Sequence, residues 1–443
     1  MPIKLVMLSV PGLRQNDLRH MPEASRHFSS GTSCQIRHSF PSVTWPAQAT
    51  MLTGKLPNEH GVIANGFFWR DNQRVEMWTA PNSVIDKPQI WDLLHQRSVG
   101  LKSAAWFPML SKKSGADYVV MPAPIHKPDG SEELWCYTKP QEFYGELLGK
   151  FGHFPLQHFW GPLANIKSTD WICQSAVTAA MKFQPDFFYI YLPHLDYAAQ
   201  KFGPDSPQAI NALLELDRVL AALFAGMQTA YGADEMKWVM ASEYVIQNVD
   251  HVTFPNRILR DAGLLQVKID ADGRELIDFE MSQAWALVDH QFSHVFVKHA
   301  EPRVIEKVTE IFRDVQGIGS VLSGDSRKSI SMDHERSGEV ILISEPNSWQ
   351  AYYWWRDDAL APMFARTVDI HRKPGYDPVE LFVDMATKSI PLDATLVRGS
   401  HGVVTESTIS QTVFATRGCC QELPALLDDT KICEWILGEF PVT

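Results

Sequence analysis

The sequence predicts an α/β fold, a mostly parallel sheet with helices on both faces and a small inserted α+β cap. Three observations predict it. Continuous apolar runs such as Phe187 to Leu192 (FFYIYL) suit strands buried on both faces. Helical stretches alternate with such runs along residues 1–265. Between residues 280 and 360 the text changes to a compact strand–helix–strand unit. The chain has 443 residues, 45% apolar and 21% charged, which is enough to bury a large core.

In chain order, Lys4 to Val10 reads as a first buried strand, ended by Pro11-Gly12. Arg14 to Ser39 is polar and irregular. Gln89 to Gln96 reads as a helix, and Leu101 to Phe107 and Tyr118 to Met121 as strands. Pro122 to Gly130 is a stiff loop carrying His126 and Lys127. The amphipathic stretch Ser168 to Phe183 predicts a helix feeding the FFYIYL strand. Helix Gln208 to Gln228 and strand Lys237 to Ala241 follow, then helix Asn256 to Gly263. In the cap, Trp285 to Val297 and Glu339 to Ile343 read as strands around a helix from Pro302 to Val315. The run Tyr352-Tyr353-Trp354-Trp355 reads as packing between cap and core. Residues 361–443 return to the core and close with a helix over Pro424 to Leu437.

The net charge of −12 removes an overall basic footprint, so no nucleic-acid polymer is expected as a partner. Six cysteines without zinc-finger or redox spacing suit a reducing compartment. No apolar stretch reaches membrane-spanning length, so the expectation is a cytoplasmic protein with no membrane partner. Oligomeric state is not legible.

Phe40 to Gly61 (FPSVTWPAQATMLTGKLPNEHG) carries the strongest local pattern. Thr44 lies between Pro41 and Pro46, just ahead of a run of helix formers from Ala47 that Gly54 closes. A hydroxyl at a helix N-terminus, where free N–H groups favour an anion, suits attack on a phosphoryl centre. The plain alternative is a threonine that caps its helix. Asp196, Glu243 and His401 follow at the ends of other predicted strands, where open α/β sheets place ligands. Together such residues would converge on a nucleophile and a divalent metal.

These segments, in this order, resemble the alkaline phosphatase superfamily, and within it the nucleotide pyrophosphatase/phosphodiesterase branch, over roughly Ile3 to Thr416. The resemblance implies an alkaline-phosphatase-like core and a hydrolase of phosphate mono- or diesters, pyrophosphates or phosphonates. Thr44 matches the family's covalent nucleophile. Asp196 opens DYAAQKFGP, Glu243 stands in SEY, and His401-Gly402 matches the last metal histidine. Asn65 and His126 are the substrate-binding candidates. Asp196, Gln200, Glu243 and His401 are the candidate metal ligands, with Asp369 and His371, or Asp289-His290, as replacements.

The sequence also departs from the family. Pro11 stands for the first-strand aspartate, Ala47 for the phosphate-holding asparagine, Gln200 for a histidine, and Glu243-Tyr244 for an Asp-His pair. The implied cofactor is one or two divalent ions, zinc or, with histidines scarce, magnesium or manganese. The alternative is a degraded relative that binds a phosphorylated metabolite or a protein partner, and a third reading is another chemistry through a phosphothreonine.

Overall fold

The computed structural model describes residues 3–98, 100–126, 132–232 and 236–441. A nine-stranded sheet forms the core. Its strand order is Leu426–Asp428, Thr32–Arg37, Phe414–Arg417, Met236–Ala241, Lys4–Ser9, Phe187–Tyr191, Ser103–Trp106, Tyr118–Pro122 and Cys136–Lys139. The five strands from Met236–Ala241 to Tyr118–Pro122 run parallel, with Leu5 level with both Phe187 and Lys237. Phe414–Arg417 runs antiparallel to both neighbours, and Cys136–Lys139 is an antiparallel edge.

Every residue of Phe187–Tyr191 is buried, which explains an apolar run without alternation. Burying one phenylalanine side chain contributes about 1.5–3 kcal/mol. Helices Ile166–Phe183 and Pro207–Tyr231 pack together, and Gly226 permits it: a Cβ there would lie 2.6 Å from Val177. A second helix group, Thr44–Thr53, Ile90–Arg97 and Ile432–Gly438, packs as its own cluster.

A second sheet has four antiparallel strands in the order Ala284–Asp289, Phe292–Val297, Val340–Ser344 and Ile318–Ser323, with helix Pro302–Phe312 against it. The aromatic run is buried, with the Tyr353 and Trp355 rings stacked at 4.4 Å. Among the described residues no helix is long and apolar enough to cross a membrane.

Several elements differ from the sequence-based expectation. Trp285 to Val297 is a hairpin, turning at His290-Gln291 with His290 at φ +57°. Both arms are wholly buried, so no exposed residue marks the turn. Pro424 to Leu437 begins as the strand Leu426–Asp428, and its helix starts only at Ile432. The Asp429 carboxylate accepts the Ser39 N–H at 2.6 Å and the Ser39 hydroxyl at 2.7 Å, which ties the chain there to the core. Arg14 to Ser39 holds the helix Pro22–Phe28 and the strand Thr32–Arg37. The helix expected from Ala47 starts at Thr44.

Candidate active site

Thr44 is the first residue of the helix Thr44–Thr53, whose ten residues are all buried. Val43 is the N-cap and provides no side-chain cap, while Gly54 at φ +67° ends the helix and donates to the Thr50 carbonyl at 2.8 Å. The Thr44 hydroxyl does not cap its own helix; it meets the Tyr244 phenol at 3.2 Å. Tyr244 follows the strand Met236–Ala241 and donates to Asp196 Oδ2 at 2.8 Å. Asp196 lies in the first turn of helix Leu195–Phe202, which follows the strand Phe187–Tyr191. Three segments that follow strands of the main sheet therefore meet in one hydroxyl–phenol–carboxylate chain.

His401 completes the centre from a fourth segment. Its ring lies flat on Tyr244, centroids 3.7 Å apart and planes 3° from parallel. Its Nδ1–H donates to the Ser42 carbonyl at 2.9 Å, and the Ser42 N–H donates to the Gly402 carbonyl at 3.0 Å. The segment before Thr44 is thus clamped to His401-Gly402. Gly402 sits at φ +127°, which L side chains rarely adopt. With Nδ1 acting as donor to a carbonyl, the neutral ring keeps its lone pair on Nε2. Burial, and next the neighbouring His290, hold His401 well below the usual histidine pKa.

His290 packs against His401 with centroids 4.0 Å apart, and Tyr376 stacks on its other side at 3.7 Å. Its Nδ1 donates to Asp289 Oδ1 at 2.6 Å. The Tyr376 hydroxyl donates to Gln200 Oε1. Four rings therefore form a file, Tyr244, His401, His290 and Tyr376. The phenols at its two ends grip Asp196 and Gln200, one turn apart on a single helix.

Glu243 is fully buried. Its Oε1 accepts the Ser9 hydroxyl at 2.6 Å and the Gln48 amide at 2.9 Å, while Oε2 has no partner. Asp196 Oδ1 is likewise without a partner. Burial raises Glu243 to about 8 and Asp196 to about 7. Asn65 lies beneath the nucleophile, accepting the Trp45 N–H at 2.9 Å and donating its amide to Asp289 at 3.1 Å.

The loop candidates make other contacts. The Asp369 carboxylate meets the Arg372 N–H at 3.3 Å, and His371 meets the Met77 carbonyl at 3.4 Å. His126 is in the short strand Ile125–His126; its side chain and Lys127 lie outside the described residues. Sequence reading missed Ser9 and Gln48, although Gln48 sits four residues after Thr44 on the same helical face.

Members of the superfamily that the sequence resembles generally use divalent metals. The two bare carboxylate oxygens and His401 Nε2 are what a cation could use, but three other oxygen donors are engaged. Asp196 Oδ2 takes Tyr244, Gln200 Oε1 takes Tyr376, and Glu243 Oε1 takes Ser9 and Gln48. Among the described residues no three His, Cys, Asp or Glu side chains are grouped to hold a metal ion. The residues present do not fit a two-cation centre.

Known proteins agree with the fold. A phosphonoacetate hydrolase from Sinorhizobium meliloti superposes with a TM-score of 0.64 at 16% identity, covering 99% of this chain and 96% of its own. A murine ectonucleotide pyrophosphatase/phosphodiesterase solved with AMP gives 0.62 at 12% identity, covering 100% and 96%. A venom phosphodiesterase of Naja atra is 25% identical over 234 residues, 51% of this chain and 24% of that protein. An uncharacterized pyrophosphatase/phosphodiesterase of Schizosaccharomyces pombe is 24% identical over 190 residues, 43% and 33%. The chain thus matches a third or less of the length of these two sequence relatives. The model of the type I phosphodiesterase/nucleotide pyrophosphatase family matches residues 5–377, and the chain belongs to that family.

Proposed function

We propose that this chain hydrolyses a small phosphate ester, pyrophosphate or phosphonate by attack of Thr44. The observation that carries the reading is the chain from the Thr44 hydroxyl through Tyr244 to Asp196, with contacts of 3.2 and 2.8 Å. It has the form of a nucleophile, a proton carrier and an acid that orients it. For an ester, the Thr44 oxygen bonds to phosphorus as the bond to the leaving oxygen breaks. The Thr44 proton passes to the phenol oxygen while the phenol's own proton passes to Asp196, and the leaving oxygen takes up one proton from solvent. Water then bonds to phosphorus as the bond to Thr44 breaks; the Thr44 oxygen takes a proton back from the phenol, the phenol takes one from Asp196, and the proton lost by the water goes to solvent. The helix N-terminus faces the charge on the transferring group, and a phosphoryl oxygen reaching the Trp45 N–H takes the place of the Asn65 oxygen. The names of the relatives, phosphodiesterases and a phosphonoacetate hydrolase, support the substrate class.

A second reading, binding of a phosphorylated metabolite without turnover, is favoured by one observation: the polar centre is buried and already bridged by Tyr244. A screen with p-nitrophenyl phosphate, bis(p-nitrophenyl) phosphate and phosphonoacetate separates the two. Turnover that Thr44→Ala abolishes supports the hydrolase. Turnover indifferent to Thr44→Ala removes the covalent route, and a thermal shift with AMP but no turnover favours the binder.

A further inference from the structure

We infer that Tyr244 stands in for a cation at this centre, bridging Thr44 to Asp196 through its phenol oxygen and covering His401 with its ring. A metal shared by a threonine oxygen, a carboxylate and an imidazole would lie about 2 Å from each donor. Here one phenol oxygen is 3.2 Å from Thr44 Oγ1 and 2.8 Å from Asp196 Oδ2, in the space between them. The ring carrying that oxygen is stacked on His401 at 3.7 Å. One side chain thus makes the contacts to Thr44 and Asp196 that a metal would make, and lays its ring against the face of the third donor's imidazole.

A separate observation points the same way. Gln200, the next oxygen donor along the Asp196 face of the helix, is taken by the Tyr376 hydroxyl. Tyr376 is held through the His290 ring to His401, so both phenols belong to one file of rings. An ion taking the place between Thr44 and Asp196 Oδ2 would have to swing Tyr244 off the His401 ring, out of a buried stack. The nucleophile is therefore positioned by covalently attached groups, in protein that carries no metal. This deepens the proposed hydrolysis by naming what holds its nucleophile, but its test does not depend on turnover.

The test is metal content of the full chain, incubated with ZnCl2 or MnCl2, desalted and measured by mass spectrometry, alongside its melting temperature with and without chelator. The expected result for the unaltered protein is less than about 0.1 ion per chain and an unmoved melting temperature. Tyr244→His, a shorter side chain that offers a nitrogen to an ion shared with Asp196 and His401, is expected to gain about one zinc per chain and a zinc-dependent rise in melting temperature. About one ion per unaltered chain, lost in Asp196→Ala, overturns the inference. So does a folded Tyr244→His that stays metal-free, because the tyrosine would then not be what keeps the ion out. Should Tyr244→His fail to fold, diffraction from crystals of the unaltered protein soaked in MnCl2 decides: an anomalous peak beside Asp196 overturns the inference, and its absence supports it. A metal-free protein without turnover would sink the hydrolase reading and leave this one standing.

Discussion

Asp289 and the pair Glu243 and Asp196 are buried acids of one centre, yet they are wired differently. Both Asp289 oxygens are engaged, by the Asn65 N–H at 2.7 Å, the Asn65 amide at 3.1 Å and His290 at 2.6 Å. Glu243 and Asp196 each leave one oxygen bare. Burial raises all three, but the hydrogen bonds from Asn65 hold Asp289 to about 6, against about 8 for Glu243 and about 7 for Asp196. The difference teaches that burial alone does not assign a role. A saturated acid fixes geometry, whereas one with a free lone pair can exchange a proton near neutral pH.

The comparison breaks most visibly at Asp196. In the hydrolase reading Asp196→Asn lowers turnover by about 10²–10⁴-fold with little change in folding stability, measured with a p-nitrophenyl ester and by urea denaturation. Asp289→Ala shows the opposite pattern. It leaves Asn65 and His290 without their acceptor and costs about 3 kcal/mol in denaturant unfolding, a loss that precedes any effect on chemistry.

The pH profile sharpens the contrast. Glu243 and Asp196 have folded pKa values above their ordinary ones, so their contribution to stability is complete at acid pH and is lost as pH rises through about 7 to 8. Glu243 faces Ser9, Gln48, Tyr189 and Asp196, none of them cationic. His290 and His401, held below the usual value, act oppositely and only toward acid pH. Melting temperature is therefore expected to fall between about pH 6.5, above which the histidines no longer oppose it, and about pH 8, then to level off, and Glu243→Gln to flatten that fall. Turnover is expected to rise with pH through about 7, as Asp196 becomes able to accept a proton. The smallest effects are expected for Asp369→Ala and His371→Ala, whose hydrogen bonds include those with the Arg372 N–H and the Met77 carbonyl. Each is expected within about 0.5 kcal/mol in stability and within twofold in rate; a large loss in either would show that this loop joins the site.

The sheet was legible because its central strands are buried on both faces and read as unbroken apolar text. The same property hid the hairpin turn at His290, where two wholly buried arms run together in the sequence. Thr44, Asp196 and His401 were legible from their order and from the prolines and glycines around them. The part played by Tyr244 was not. Sequence comparison reads it as a lost imidazole, while the structure shows a phenol with three neighbours, two of them more than 150 positions away. Such a group is defined by what surrounds it in space, and no local spacing announces it.

The strand Phe414–Arg417 lies between Thr32–Arg37 and Met236–Ala241 in the middle of the main sheet. During synthesis the Met236–Ala241 strand must wait for about 170 further residues before it gains this neighbour, with that hydrogen-bonding edge open meanwhile. Folding of the core is thereby a late event on the ribosome, and a chain released before residue 414 would present a sticky, unpaired edge to other chains.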